Sequence, residues 1–388
     1  MKTILLVWIT LSVVASADTL GQLIADAMQN DPTIELLEAR KQVASEETAS
    51  ADLWENPVLK AGVTDIRPDA VTDRSLEPMQ TQFIAVSQKI PLRDRYRIAR
   101  EIAVEKEALI DLKIAERRRT ILSRISDAAY RIAIAKRRLV LLGRNRANLR
   151  RIQVLLRGYQ ASEDLLLETE KSMLLLDTKA EKLKSRIEAE RARITRYTLH
   201  ATGDIDLSLK PRSLHDKRYD PDHPLLQLYR KDIAIAQKRI ALMEAKERPD
   251  ITLSAGYYQR VDREDYLSVG ISMPLQIRGR EKIATQKARA MLLYQRAKLA
   301  ETANRFAAEV RVLSVGMEEG MRNYRRFAKR IVPLQRRISR YLAAKNSSGA
   351  LDLTRVVESY NSVIALEDAS LEALSDYFRN YAKLRYYR

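Results

Sequence analysis

The hydrophobic period of the chain changes several times, and the changes recur. Between Ile251 and Tyr258 apolar and polar positions alternate, with Ile251, Leu253, Ala255 and Tyr257 on one face and Thr252, Ser254, Gly256 and Tyr258 on the other. From Tyr266 to Met273 the same period of two sets Leu267, Val269, Ile271 and Met273 against Tyr266, Ser268, Gly270 and Ser272. Such alternation predicts strands with one apolar face. An earlier, noisier pair keeps the register: Leu59, Ala61 and Val63 against Lys60, Gly62 and Thr64, then Ile84 and Val86 against Ala85 and Ser87, with Gln88 interrupting the apolar face. Each pair reads as a hairpin, with a long loop over 65–80 in the first and a short one over 259–265 in the second.

Elsewhere the period is helical. From Arg93 to Arg157 there is no proline, and Gly143 is the only glycine, which predicts a helix of about 65 residues and roughly 100 Å. Its apolar seam runs Ile114, Ile121, Ile125, Ala128, Ile132, Ala135, Leu139, Leu142, Leu149, Ile152, Leu156, in steps of three, four and seven, with Arg118 and Arg146 breaking it. That is heptad spacing, and it predicts coiled-coil packing. A second helix of about 67 residues runs from Gly279 to Lys345, with Pro333 as an expected kink. Each long helix reaches a turn, at 158–162 and at 346–351, after which a shorter helix returns. The first return, from 163 to about 200, repeats the seam with Leu166, Met173, Leu176, Ala180, Leu183, Ile187 and Ile194. By length it is expected to stack on the helix after Pro224, and the C-terminal helix, 352–388, on the helix after Pro32.

These elements occur twice. Pro32 and Pro57 are 25 residues apart, as are Pro224 and Pro249. A helical pattern opened by proline fills each interval, since proline at the first helical position gives up an N–H that would be unpaired anyway. Two strands and a further proline, Pro91 or Pro274, follow each. The chain therefore divides into a first repeat, 18–202, with its β-hairpin at 57–91; a linker, 203–223; and a second repeat, 224–388, with its β-hairpin at 249–274. The expected class is mainly α with a small β part: a long bundle with four strands at one end and two helical turns at the other.

The first residues change the compartment. Lys2, the apolar Ile4 to Val14, and Ala15-Ser16-Ala17 before Asp18 have the form of a signal peptide over 1–17. No later stretch holds 18 consecutive apolar residues, so no transmembrane helix is expected. Four exported strands with an apolar face then pose a closure problem. Strands cross lipid only as a closed barrel, and about eight is the smallest workable number. One chain cannot close it, so an oligomer is required.

Taken together, the pattern resembles the TolC-type outer-membrane factor family, the exit ducts of tripartite efflux pumps and type I secretion systems. The resemblance covers nearly all of 19–388. It rests on the order of elements, on Asn56-Pro57 and Arg248-Pro249 leading into strands, on Pro91 and Pro274 leading out, and on His223-Pro224 opening the second copy. The helical tips are its most specific pieces: Arg157-Gly158-Tyr159 with Asp164-Leu165, and Gly349-Ala350-Leu351-Asp352-Leu353 with Val356-Val357-Glu358-Ser359. The resemblance implies a homotrimer with a 12-stranded barrel in outer-membrane lipid, continuous with a periplasmic α-barrel. It implies an adaptor protein and an inner-membrane pump as partners, with Gly158, Tyr159, Ser162, Asp164, Leu165, Gly349, Leu351 and Leu353 touching the adaptor. It also implies a gate at the second tip, where Asp352, Arg355 and Glu358 face the pore; Arg355 stands where many members carry an acid. Ile251, Leu253, Leu267, Val269 and Ile271 would face lipid. The shortness of the chain is similar to the heavy-metal-efflux branch, and the missing cysteine at the cleavage site separates it from lipidated members.

Charge and chemistry alter this picture little. There are 69 Lys+Arg against 51 Asp+Glu, a net +18. In an exported chain, with cations among acids as in 181–186, this reads as solvated helix faces rather than a nucleic-acid surface. His200, His215 and His223 fall in or beside the polar linker and read as solvated. With no cysteine and no HExxH spacing they do not make a metal site. No phosphate loop or nucleophile elbow is present, so neither an enzyme nor a cofactor is expected. Glu163 and Asp164 stand in a first helical turn, where acids favour the dipole and where they are also candidates for gating. A type I secretion duct is the nearest alternative. A periplasmic adaptor would need more strands, and a basic coiled coil binding polymer leaves the duplicated hairpins unexplained.

Overall fold

A computed structural model describes residues 18–66, 68–69, 71, 73, 79–211, 217–261, 263–345 and 353–388. The expected signal peptide and the second tip, with Gly349, Leu351 and Asp352, lie outside these residues. The order is β1 (Asp18–Thr19), α1 (Leu20–Asn30), α2 (Pro32–Ser50), β2 (Val58–Thr64), β3 (Thr81–Ile90), α3 (Arg95–Gly158), α4 (Glu163–Thr198), β4 (Ile205–Asp206), α5 (Pro224–Lys246), β5 (Ile251–Gln259), β6 (Tyr266–Ser272), α6 (Arg280–Arg326), a π-helical turn (Phe327–Ile331), α7 (Val332–Lys345) and α8 (Leu353–Tyr387). The protein is mainly α with one four-stranded antiparallel sheet. Prolines open α2 and α5, and α3 passes through Gly143 unbroken.

Some elements depart from the sequence reading. The helix α1 starts at a capping box: the Gln22 N–H donates to Thr19 Oγ1 at 3.3 Å, and the Thr19 N–H donates to Gln22 Oε1 at 2.8 Å. The short β1 and β4 pair in parallel, so the linker contributes a strand. At the expected kink, Pro333 has no N–H to donate and its ring crowds the carbonyl four residues back. The chain responds upstream by widening, with the Val332 N–H reaching back to Phe327 O.

Two compact units form, each drawing on both repeats. One comprises Met1–Glu35, Ala115–His223 and Asn304–Arg388. Its α3 seam is buried as read at Ile121, Ile125, Ala128, Ile132, Ala135, Leu142, Leu149, Ile152 and Leu156, whereas Leu139 is half-buried. Arg118 and Arg146 are exposed. Near the second break the seam shifts by one residue, burying Asn145, while Arg146 swings outward to a two-point ion pair with Asp177 at 2.7 and 3.1 Å. A guanidinium costs too much to bury unpaired, and the drift of a 3.6-residue helix against a seven-residue repeat supplies the neighbour. Tyr130 and Ile134 of α3 pack with Met317 and Met321 of α6 and with Leu371, Leu374, Tyr377 and Phe378 of α8. Each such buried side chain stabilises the fold by about 1.5–3 kcal/mol. Gly320 permits this packing, because a Cβ there would stand 2.8 Å from the backbone nitrogen of Tyr377.

Two joints in this unit show where the returning helices end. Asp31 is 1% exposed; its Oδ1 accepts the Thr33 and Ile34 N–H groups, and both carboxylate oxygens bond Arg117 at 3.0 and 2.8 Å. Arg117 also lies over the Tyr197 ring near the end of α4. Burial pushes the Asp31 carboxyl up, and the Arg117 bonds and charge with the two N–H groups outweigh it, so its pKa is lowered. At the second joint the Asp220 N–H donates to Tyr387 O at 2.9 Å, and His223 Nε2 donates to Tyr386 O at 2.8 Å. The end of α4 thus meets the lead-in to α2, and the end of α8 meets the lead-in to α5. At these lead-ins the pairing is the reverse of the one expected from length: α2 and α5 are too similar in length, 19 and 23 residues, to identify their partners.

The second unit holds Leu36–Ile114 and Pro224–Ala303. Its helices bury Ile102, Leu109 and Ile235 together, and Glu105 accepts Lys231 at 2.7 Å and Lys238 at 3.3 Å. The sheet belongs to this unit, in the order β2-β3-β5-β6.

His223 is not solvated, contrary to the sequence reading. It is fully buried, edge-on to Phe306 at 4.9 Å. Polarity of the linker concealed this, because the residue serves the joint and not the loop. Burial lowers its pKa. The unfolded chain then binds a proton near pH 6.5 that the folded chain refuses, so stability is complete above that pH and falls as pH drops below it. The melting temperature of the purified protein should fall between about pH 7.5 and 5.5. In His223→Gln, which keeps a donor for Tyr386 O, the slope should flatten. An unchanged slope would show that His223 is not held neutral.

Candidate functional site

The register of the sheet joins the apolar positions of all four strands on one face. Leu59, Ala61 and Val63 of β2 stand opposite Val86, Ile84 and Gln82 of β3. Val86 and Ile84 stand opposite Ala255 and Tyr257 of β5, and Leu253, Ala255 and Tyr257 opposite Ile271, Val269 and Leu267 of β6. Gln88 falls opposite Leu253, so the interruption read from sequence is local. This face is bare in the single chain: Val269 is 80% exposed, Leu267 78%, Ile271 72% and Leu59 68%. Leu253 is less exposed and Ile251 is half-buried. A continuous apolar surface of this kind marks a site for lipid or another apolar phase.

The opposite face is polar and aromatic. It carries Thr252, Ser254, Ser268 and Ser272, and a row of rings in which Phe83 stacks on Tyr258 at 5.5 Å and Tyr258 on Tyr266 at 4.9 Å, with Arg260 over Tyr266. The outer edges of β2 and β6 have no strand partner among the described residues. Because β2 and β6 run antiparallel, β6 of one copy can extend into β2 of the next with every neighbour antiparallel.

The first helical tip turns by a Schellman arrangement. The Ala161 N–H donates to Leu156 O at 3.0 Å and the Gln160 N–H to Arg157 O at 3.2 Å, with Gln160 left-handed at φ 50°. Gly158 is the last residue of α3, and a Cβ on it would meet nothing within 4 Å, so the glycine is not what turns the chain. Tyr159 is 56% exposed. Ser162 precedes α4 and bonds Asp164, which lowers the pKa of that carboxyl together with the Leu165 and Asp164 N–H groups. Asp164 stands in the first turn of α4, where an acid suits the helix dipole. Leu165 is half-buried against the Leu142–Leu156 cluster. At the second tip, Leu353 opens α8, Arg355 and Glu358 are exposed in its first turns, and Val357 between them is buried.

Sequence reasoning missed Glu367. This carboxylate, 6% exposed, accepts Arg144 of α3 and Arg336 of α7 at 3.0 Å each. The signal was an acidic pair, Glu367-Asp368, in the middle of an otherwise apolar stretch of α8. Among the described residues no group of His, Asp and Glu is placed to hold a metal, and no helix is long and apolar enough to cross a membrane.

No family model and no curated protein matches the chain by sequence. Solved structures match its fold. The outer membrane protein VceC of Vibrio cholerae superposes with a TM-score of 0.74 at 14% identity, over 94% of either chain. The outer membrane channel CmeC of Campylobacter jejuni gives 0.76 at 11% identity, over 95% of this chain and 85% of that one. The open state of the outer membrane channel MtrE of Neisseria gonorrhoeae gives 0.77 at 14% identity, over 95% and 88%. These neighbours do not single out the heavy-metal branch.

The two sheet faces should tolerate charge differently. Val269→Arg or Ile271→Arg places a cation on the bare apolar face, at a cost of about 2–4 kcal/mol near a bilayer midplane. Membrane insertion, followed by fractionation and heat-modifiable migration, should fail for both and survive Ser268→Arg. Equal tolerance at all three positions would refute the register.

Proposed function

We propose that this chain, which has the TolC-type outer-membrane factor fold, is the outer-membrane exit duct of a tripartite efflux system. Two copies of one structural repeat supply its strands and helices, and three chains close a barrel of twelve strands from the four each contributes. The barrel conducts substrates passively from a periplasmic pump and adaptor to the exterior, without chemistry of its own. The observation that carries this reading is the bare apolar face running through four strands whose outer edges are open. Such a sheet satisfies its backbone in lipid only by closing with copies of itself.

The gate on this reading is the second tip. Arg355 and Glu358 are three residues apart on one face of α8, so in a ring of chains the arginine of one copy pairs with the glutamate of the next. A solvated pair is worth about 0–1 kcal/mol, a latch weak enough for a partner to open. Crosslinking in detergent should give trimers, and the purified protein should conduct in planar bilayers. A soluble monomer that never conducts would remove the duct reading. In conducting channels Arg355→Glu should raise conductance and Lys345→Glu should change it less; the reverse order would displace the latch.

A further inference from the structure

The net charge of the protein has a definite address. Residues 128–162 hold nine Lys and Arg and no Asp or Glu, and residues 320–351 hold nine and none. These eighteen cations equal the whole excess, and the rest of the chain balances. The stretches occupy corresponding places in the two copies, the second part of α3 and the end of α6 with α7. The reading of cations mixed evenly among acids therefore holds for α4 and not for the chain.

The sheet shows the same bias on a smaller scale. Its four strands contain no Asp or Glu and two lysines, Lys60 and Lys89, both on the polar face. Lys89 is neutralised: it bonds Glu55 at 2.7 Å, and Asp250 beside it is held by Arg95. Lys60 is exposed and makes no ion pair among the described residues. The register sets it level with Ala85, Gly256 and Ser268, so its ammonium stands over a floor of small neutral residues.

The next level of the same face, toward the loops, is the row of rings. Gly62, Phe83, Tyr258 and Tyr266 lie side by side across the four strands, and Phe83 reaches over Gly62, where a Cβ would stand 3.0 Å from its ring. The rings stack face on face, so they present their edges outward, and the edge is the positive side of an aromatic quadrupole. The Tyr258 and Tyr266 hydroxyls have no hydrogen-bond partner among the described residues. Arg260 ends the row, its guanidinium 4.5 Å from the Tyr266 ring centre; it makes no ion pair, and its buried Nε has no partner either. The acids flanking this level, Asp65 and Asp265, belong to the loops, and Asp265 is taken up by the Arg260 backbone N–H at 3.0 Å and by the Tyr257 hydroxyl.

We propose that this face makes the barrel selective for anions and that the cargo of the duct is a negatively charged organic molecule; this rests on the duct reading, in which the polar face lines the lumen. Closure by three chains sets three free Lys60 at one level and, toward the loops, three sets of phenol donors with three Arg260. No strand carboxylate stands between them. A narrow passage with walls of low dielectric focuses such a field, and rings of Lys and Arg select anions in pores. An inorganic anion needs only the charge. The ring edges and the floor at Ala85 and Gly256 add contact for an apolar or aromatic body, which an organic anion has and chloride lacks.

The test reconstitutes the full chain in planar bilayers and reads the reversal potential across a KCl gradient, whose two ions have nearly equal mobility. Chloride should be favoured over potassium by roughly two- to tenfold at about 0.1 M salt, and the preference should fade near 1 M, where the screening length is about 3 Å. Lys60→Gln should cut the preference at least roughly twofold and Lys60→Glu should reverse it. Lys41→Gln, which removes an equal charge from a helix, should keep the wild-type ratio. Benzenesulfonate should block the chloride current and benzyltrimethylammonium should not, and Tyr258→Phe/Tyr266→Phe, which keeps the stacked rings, should weaken the block by roughly tenfold. A wild-type preference for potassium, an unchanged ratio in assembled Lys60→Glu trimers, or equal block by the two aromatic ions would each overturn the inference and leave the duct reading standing. Absence of conductance removes the duct reading, and this inference with it.

Discussion

A backbone N–H or C=O without a partner costs several kcal/mol in hydrocarbon, and among the described residues the strand groups left without a strand partner lie along the outer edges of β2 and β6. The sheet makes its hydrogen bonds through the middle, β3 against β5, and both margins are without a strand partner among the described residues. Its apolar face adds a second demand of the same kind, since side chains as bare as Val269 and Leu267 need an apolar neighbour. Neither demand can be met by repacking within the sheet, because the opposite face is already filled by Phe83, Tyr258 and Tyr266. On the proposed reading, lipid would satisfy the face and copies of the chain would satisfy the edges.

The helical part obeys a related rule by different means. At two helix ends inside the first unit a buried polar group answers the loose backbone. Asp31 accepts two N–H groups at the start of α2 and carries Arg117 besides, and His223 takes a carbonyl from the end of α8. These joints close each return helix on the lead-in to the short helix of its own copy.

What could be read in advance was whatever repeats at short range. The alternation at 251–258 and 266–273 gave the strand faces, and the seam from Ile121 to Leu156 gave the buried line of α3. What could not be read depends on distance in the chain. The burial of His223 follows from Tyr386 and Phe306, far away in sequence, and the choice of α5 for α8 follows from the same contact. Arg146 shows the limit within a single helix: the heptad predicted a residue in the seam, and the guanidinium yielded the place to Asn145 because Asp177 offered it a partner outside. The start of α1 was legible in Thr19 and Gln22, a capping box too short to attract notice without the helix behind it. At the first tip the turn itself was legible and its hinge was not, since Gln160 rather than Gly158 carries the left-handed backbone.

The π-helical turn before Pro333 has a consequence for symmetry. One additional residue in a helical turn rotates everything beyond it by about 100° relative to an uninterrupted helix. The helix α3 has no such turn, so beyond it the two outgoing helices, similar in length and in charge, present their side chains in different rotational settings. Duplication supplied two equivalent arms, and this one residue made them inequivalent. A partner able to recognise both must carry two distinct contact surfaces or use one surface in two ways.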